Sequence, residues 1–412
     1  MAALTRTTGA AMLWRVYEQK VTTQFNRQRI LKNRLKATPK ETGEGERIEF
    51  PLHIGSSGGI TVTNTTTLPN AQYQEYTSGT ANYFHLYGQI KVDGPMMSST
   101  VKGKTSFRES LDSETTNMVE DLKDIDQILL WGDGSGLLAT VVSTSDDGTT
   151  TTITLDTCRN LKRGMVVDVL VKTTGASTVG AVKARIADVD FSGPTCQILS
   201  AAFVGGDGSA IDTTYGLYLQ GARNTAPWGV QAIVAVGDPG TSATYYGGIT
   251  RAASNAWWRA QRSHNSAVNR ALSLSLVDKL IQNITSRSNG RPNLIMTTPA
   301  IEGILGGMLV DSKRYRGDTM TLDGWYKATT FAGIPVVADK HAPANHLWVL
   351  DTRFWRRYFP PDIGQGKWFS EDGHVLSRVS QEDAVEAFWK SYFQNICTNP
   401  SAQGVLEDIS ES

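Results

Sequence analysis

From Pro51 to Ile90 the chain contains no lysine or arginine, and Glu75 is its only acid. This stretch opens with Ile48-Glu49-Phe50-Pro51-Leu52-His53-Ile54 and crosses a Gly/Ser/Thr-rich middle. It returns through Asn82 to Val92, where Phe84, Leu86, Ile90 and Val92 alternate with Tyr83, His85, Tyr87, Gln89 and Lys91. Alternation of that kind is the strand period, so the stretch predicts an extended hairpin whose two limbs flank a long polar tip. A lone two-stranded ribbon is marginal in water, and charge is depleted at the cores of protein interfaces. The ribbon therefore reads as a contact surface that something outside it must complete, with Glu75, Tyr83, His85 and Tyr87 as candidate contact residues.

Charge is concentrated on either side of it. Residues 1–40 carry nine basic side chains, Arg27, Arg29, Lys32 and Arg34 among them, against Glu18 alone. Leu13, Val16, Tyr17, Val21 and Phe25 recur there at helical spacing. The segment fits either a solvated basic helix or an arm reaching for acidic partners, neighbouring subunits or nucleic acid. Downstream, Ser106 and Glu109 form a capping-box pattern, and Phe107, Leu111, Met118, Leu122, Ile125 and Leu129 make one apolar stripe. The other face carries Glu109, Asp112, Glu114, Glu120, Asp121, Asp124 and Asp126 against Lys123. A helix over about 104–131 is predicted, ending in Gly132-Asp133-Gly134-Ser135-Gly136. Its acids, Glu109, Asp112, Glu120 and Asp124 foremost, are candidates for pairing with the basic arm within or between subunits.

Residues 137–222 are rich in Thr, Val, Gly and Asp, with short alternating runs punctuated by turn signals such as Asp147-Gly148 and Ser192-Gly193-Pro194. They predict a small β-barrel or sandwich inserted into a host domain. Residues 223–412 predict mixed α and β structure. Helical pieces are expected over 252–287, and a strand at Asn293–Thr297 precedes a helix that Thr298 caps with Pro299 at its first position. Further strands are expected at Ile334–Ala338, His346–Leu350 and Phe388–Cys397.

The whole chain of 412 residues has 40 basic and 40 acidic side chains, a formal net charge of zero. That excludes a globally basic nucleic-acid coat and leaves little repulsion between copies. Arg6 interrupts any signal-peptide core, no apolar run approaches a membrane span, and Cys158, Cys196 and Cys397 suit reduced thiols more than a disulfide framework. Catalytic patterns are poor. Asp339-Lys340-His341 with His346 lacks a further ligand at metal spacing. The GDGSG and GGDGS runs lack the lysine and strand–helix context of a phosphate loop, and Asp146-Asp147-Gly148 and Asp188-Val189-Asp190 are thin for calcium. Lys313-Arg314-Tyr315-Arg316 and Arg353, Arg356 and Arg357 read as solvated loops or subunit salt bridges. No catalytic residue, metal or cofactor is expected.

The order of these segments carries a resemblance: basic arm, uncharged hairpin, long acidic helix ending WGDGSG, a Gly-Val restart, then NLIMTTPAIEGIL, FAGIPVVADKHAPANHLWVLD and EAFWKSYFQNICTNPSAQGVLEDI. In this the chain resembles the major capsid proteins of tailed double-stranded DNA bacteriophages (Caudoviricetes). The implied fold is the α+β Hong Kong 97-type capsid fold with an inserted small all-β domain. The correspondence would be an N-arm at 1–47, an E-loop at 48–93 and P-domain at 94–136 with its spine helix at 104–131. The β-rich insertion would be 137–222, and 223–412 would hold the A-domain and the rest of the P-domain. The resemblance implies self-assembly as hexamers and pentamers into an icosahedral shell, made in the bacterial cytoplasm and ending as a virion capsid around double-stranded DNA. It also implies a portal, and a decoration or cement protein in some members. Two departures set further expectations. With no lysine between Pro51 and Ile90, the isopeptide cross-link of some members is not expected. With the E-loop so near Met1, a separate scaffolding protein and an uncleaved chain are expected. Members' insertions brace neighbours or hold the subunit's own shape, receive a decoration protein, or meet host glycans. An encapsulin-like nanocompartment is the alternative within the fold, and a β-rich adhesin or carbohydrate-binding protein the alternative outside it.

Overall fold

The computed structural model describes residues 30–35, 37–39, 47–60, 62, 70–93, 104–177, 180–237, 246–312, 320–321, 327–364, 366–370, 375 and 377–411, with the backbone alone over 104–113. A single long helix organises it. Lys104–Trp131 lies with Met118 and Leu122 against Gly88, where a Cβ would come within 2.7 Å of Leu122 Cδ1. The glycine lets helix and strand approach more closely than any side chain would allow. The helix begins at Lys104, two residues before the expected cap at Ser106.

Beneath this helix is a six-stranded sheet built around one strand, β20 (Ala384–Cys397). On one side β20 takes β4 (Phe84–Asp93) over its whole length, from Ala384↔Asp93 to Phe393↔Phe84. Elsewhere along it lie β17 (Trp355–Phe359), β18 (Lys367–Trp368) and β19 (Ser377–Arg378), and β1 (Ala37–Pro39) adds in parallel to β17. This corrects the expected hairpin. The limb at Phe84–Val92 pairs with residues about three hundred positions away in sequence, and the true partner of β2 (Arg47–Gly55) is β3 (Glu75–Asn82). Both segments alternate well enough to be either limb, and alternation says nothing about partner.

Strand β2 buries Ile48, Phe50 and Leu52 and exposes the residues between them. Phe50 covers Gly79, where a Cβ would sit 2.3 Å from the ring. These side chains enter the central core with Leu31, Leu130, Trp131, Trp228, Tyr246, Trp258, Trp348 and Trp355, so the hairpin root is cemented by aromatic burial.

Residues 137–219 close into a barrel in the order β10-β5-β6-β9-β8-β7, from β5 (Leu137–Asp146), β6 (Thr150–Leu155), β7 (Val166–Val171), β8 (Ala181–Asp190), β9 (Thr195–Leu199) and β10 (Tyr215–Leu219). Ile153, Val167, Val169, Ile186, Ile198 and Leu217 fill it. The two ends of the segment meet at a neck, where Asn224 donates to the Ser135 carbonyl at 2.8 Å. Gly136 there has φ +77° and lies so close to Ala222 that a Cβ would be 2.4 Å from its carbonyl oxygen.

The remaining chain forms a seven-stranded sheet, β11-β21-β16-β12-β15-β14-β13, in which β14 is Lys327–Phe331 and β13 is Met320–Thr321. Its edge is β11 (Gln261–Ser263), followed by β21 (Gly404–Leu406), β16 (Leu347–Leu350), β12 (Leu294–Thr297) and β15 (Ile334–Ala338). Helix Leu274–Arg287 packs Leu280 and Ile284 onto Gly404, and Pro299–Ser312 buries Ile301 and Leu305. The expected first helical piece near 252 is instead a kinked 3-10 helix, Ala253–Trp258. Tertiary contacts on both flanks hold it: the Arg251 guanidinium caps the carbonyls of Ala232, Ile233 and Gly237, while Trp258 stacks on Tyr246 with centroids 5.3 Å apart.

Candidate assembly surfaces

Beyond its root the hairpin changes character. Ser57 Oγ donates to the Gln72 carbonyl at 2.8 Å, so the two limbs still run together past the last strand residues. Yet Ile60, Val62, Tyr73 and Tyr76 are exposed, Val62 completely at 101% and Tyr73 at 90%. Glu75 faces solvent opposite Gly55. Large apolar side chains grouped on an uncharged ribbon mark an interaction site. None of these four is among the contact residues expected from the sequence, although all lie in the stretch whose one charged side chain is Glu75.

A second surface lies on the open face of the β4–β20 pair. His85 meets the Tyr392 ring at 4.4 Å, and Tyr87 Oη lies 3.0 Å from Tyr392 Oη. That shared hydrogen bond, with partial burial added, pushes the Tyr87 phenol up to about 12. Gln89 donates to Glu386 at 2.7 Å, and Lys91 pairs with Glu382. Tyr83 occupies the corner between β3 and β4, half-buried against the central core, and burial raises its phenol too.

Two acids of the long helix turn inward, and one of them, Asp126, pairs with Lys32 of the basic segment within the subunit. Asp124 and Asp126 are buried at 0% and 3% exposure. Arg357 Nη2 lies 2.8 Å from both Asp126 oxygens and Lys32 Nζ 2.5 Å from one of them, with the Arg357 guanidinium 3.8 Å above the Phe393 ring. Asp124 is bound by Lys162 of the barrel, with Lys340 and His341 each 3.9 Å away. Burial pushes both carboxyls up, but these cations and hydrogen bonds outweigh it and hold both below the ordinary carboxylate range. Asp124 is thus engaged within its own chain. Next to it, Asp339 accepts from Gln127 at 2.6 Å and from Trp131 at 3.0 Å.

The barrel docks on the same helix. Beside the Lys162–Asp124 pair, Asn160 bonds the His341 ring at 2.9 Å and Arg159 donates to the Ala342 carbonyl at 2.5 Å. The neck and this polar contact give the barrel two points of attachment.

Of the other candidates, Glu120 pairs with Lys123 on its own helix at 2.8 Å, and Arg34 is exposed at the end of the short helix Ile30–Arg34. Lys32 is drawn inward to Asp126. Arg27, Arg29 and the Glu109 and Asp112 side chains lie outside the described residues, as does Lys313–Arg316. Arg353 bonds Asp351. Among the described residues no group of three His, Cys, Asp or Glu could hold a metal, and no helix is long and apolar enough to cross a membrane. The three cysteines are buried and free, and burial raises their thiols to about 11 or 12. Asp146 is saturated by internal donors, Ser200 Oγ at 2.7 Å and Gly148 N at 2.7 Å among them, and ties together the loops at one barrel end.

No protein-family model and no curated protein matches the sequence. Solved structures match over essentially the full length. The chain superposes on the capsid asymmetric unit of cyanophage A-1(L) with a TM-score of 0.60 at 14% identity, covering 98% of this chain and 99% of that one. It matches the capsid of a native GTA particle with a TM-score of 0.52 at 8% identity, covering 100% of both chains. The SrpI encapsulin of Synechococcus elongatus PCC 7942 gives 0.51 at 12% identity, covering 100% of this chain and 98% of that one. End-to-end superposition in the face of such divergent sequences means that this chain has the fold of these capsid and encapsulin subunits.

Proposed function

We propose that this chain is the major capsid protein of a tailed double-stranded DNA phage, with a Hong Kong 97-type fold and the barrel as an inserted domain. Copies assemble as hexamers and pentamers into an icosahedral shell around the genome, with scaffolding and portal proteins as assembly partners and a decoration protein as a further candidate. Hairpin and N-arm interlock neighbouring subunits without covalent bonds. The observation that carries this reading is the distal hairpin: its root is fixed in the central core, while Ile60, Val62, Tyr73 and Tyr76 stand exposed on a ribbon with one charged residue. Neighbouring copies would bury that surface, giving the large apolar contacts of obligate assemblies. The barrel braces its own subunit, since among the described residues its polar contacts reach the long helix, the 339–342 turn and Glu411 of the same chain.

The encapsulin-like compartment is the second reading, supported by the full-length superposition on SrpI. Electron micrographs of purified protein test both: closed icosahedral particles are expected, and monomers or fibres would refute them. Particles retaining nucleic acid favour the phage shell, and particles retaining a protein cargo favour the compartment. On a denaturing gel these particles should run as single subunits, because the hairpin offers no lysine between Pro51 and Ile90.

A further inference from the structure

Away from the hairpin and the barrel, a cleft of about 640 Å³ opens beside the edge of the seven-stranded sheet. Arg259, Arg262, His264 and Arg287 line it together with Gln261 and Trp257, and no acid does. Two of the guanidiniums are held in place from behind. Arg259 donates to the Arg251 carbonyl through Nε at 2.7 Å and through Nη2 at 2.5 Å. Arg262 donates to Glu407 through Nε at 2.7 Å and Nη2 at 2.5 Å. Arg287, in the last turn of its helix, is exposed. Three arginines against two neighbouring acids, Glu407 and Asp408, leave an excess of positive charge, and Arg259 and Arg262 are preorganised.

The adjoining backbone is also open. Gln261 N–H donates to Gln403 and Ser263 C=O accepts from Glu407, both at 2.9 Å, so these two residues bond to β21. By the alternation of a parallel ladder, Arg262 between them turns its N–H and C=O to the side that is unpaired among the described residues. The turn that follows is locked. Ser266 and Ala267 take positive φ, and the Asp408 carboxylate accepts from Asn265 N at 2.6 Å and Ala267 N at 3.0 Å. This turn presents Val268 at 63% exposure beside the cationic cleft.

We infer that the cleft and its strand edge are a docking site for an acidic, extended segment of a second copy of this chain. The inference rests on the shell-forming reading above. An unpaired strand edge beside the arginines suits a polypeptide, whose own N–H and C=O groups can pair with it, better than a run of phosphates, whose backbone has no such donors and acceptors. Because the chain balances 40 bases with 40 acids, a basic excess here is matched by acidic excess elsewhere on the same molecule. Identical copies therefore carry both halves of the contact. Two unlike surfaces joined in this way make a head-to-tail interface, the kind that closes into rings when the rotation between copies closes.

Charge reversal tests it. Arg287→Glu lies in the cleft, and Lys279→Glu, exposed on the same helix outside it, is the control. Assembly of full-length protein would be followed by sedimentation and electron microscopy at low and high salt, with circular dichroism to confirm folding. Arg287→Glu should lower the assembled fraction about tenfold at equal concentration, with Lys279→Glu matching wild type, Arg287→Lys retaining most assembly, and salt weakening wild type toward the variant. Normal assembly of Arg287→Glu overturns the cleft while leaving the shell reading intact. Normal particles that lose only their nucleic acid also overturn it, assigning the cleft to the genome. Wild-type protein that stays monomeric overturns both readings.

Discussion

The hairpin and the barrel are both β-structures leaving the same central body, and they solve the same problem in opposite ways. The barrel closes on itself, so every strand has two neighbours and its apolar side chains form a private core. The hairpin has two strands, one buried face at its root and none at its tip. Closure removes edges and makes a unit stable alone. An open ribbon stays soluble in the subunit only while its apolar tip is small and polar residues surround it. The barrel is thus self-contained and attached, while the hairpin is attached and incomplete.

Separating the two should give the largest effect. A fragment spanning residues 136–222 is expected to melt cooperatively, as its core lies within those bounds except for Ile128 of the long helix. A fragment spanning residues 47–82 is expected to be unstructured, because Ile48, Phe50 and Leu52 pack on Trp258, Tyr246 and other distant residues. Far-ultraviolet circular dichroism and amide exchange report both. A disordered barrel fragment, or an ordered hairpin fragment, would break the contrast.

The next effect concerns how the barrel is held. Lys162→Ala removes the barrel's cation from Asp124, which is 0% exposed. Stripping a partner from a fully buried pair costs roughly 3–5 kcal/mol. Here Lys162 is 22% exposed, and Lys340 and His341 remain near Asp124, so about 2 kcal/mol is expected. The barrel's own amides should stay protected while those of the 339–342 turn exchange faster. The pH dependence has a definite sign. Asp124 titrates below its ordinary value in the folded chain. Its stabilisation is therefore complete above the unfolded carboxylate value of about 4 and is lost as pH falls below that toward the folded value. The difference in melting temperature between wild type and Lys162→Ala should accordingly shrink below about pH 4. A constant difference would mean that the lysine acts by packing alone.

This ion pair also marks the boundary of what could be read from the residues. The long helix was legible to within a residue or so because six apolar positions over its length recur at one helical face. The barrel was legible as a β-unit because turn signals recur at short intervals. The acids of the helix read as pairing with the basic arm within or between subunits, and of the partners found for Asp124 and Asp126 only Lys32 belongs to that arm. Lys32, Lys162 and Arg357 come from three distant segments, and no local pattern links them. One signal was present: Ile128, Leu129, Leu130 and Trp131 run without a break, and a helix apolar all round in its last turn is buried on every side. Acids just upstream of such a turn cannot all reach water. The partner of Phe84–Val92 was hidden for a different reason, since strand alternation encodes which face is buried and leaves the neighbour open.

The smallest effect is expected on β4, the strand that follows the hairpin into the six-stranded sheet, and it separates that strand from the barrel after assembly. Tyr87 is pushed up to about 12 by the hydrogen bond it shares with Tyr392 and then by burial. A raised phenol favours the protonated folded state, so its contribution is complete below the unfolded value of about 10 and is lost as pH rises from there through about 12. Tyr87→Phe should cost no more than about 1 kcal/mol, the net worth of one exposed neutral hydrogen bond. Ultraviolet titration of the free subunit should show a late-ionising tyrosine that returns toward about 10 in Tyr392→Phe. If neighbouring copies cover this face, its late titration moves further up in assembled particles. Tyr218 of the barrel, already raised by burial inside its own subunit, should titrate alike in both. Equal shifts at the two tyrosines would mean that assembly buries the barrel as much as the β4–β20 face, and the barrel would then be an interlocking element rather than an internal brace.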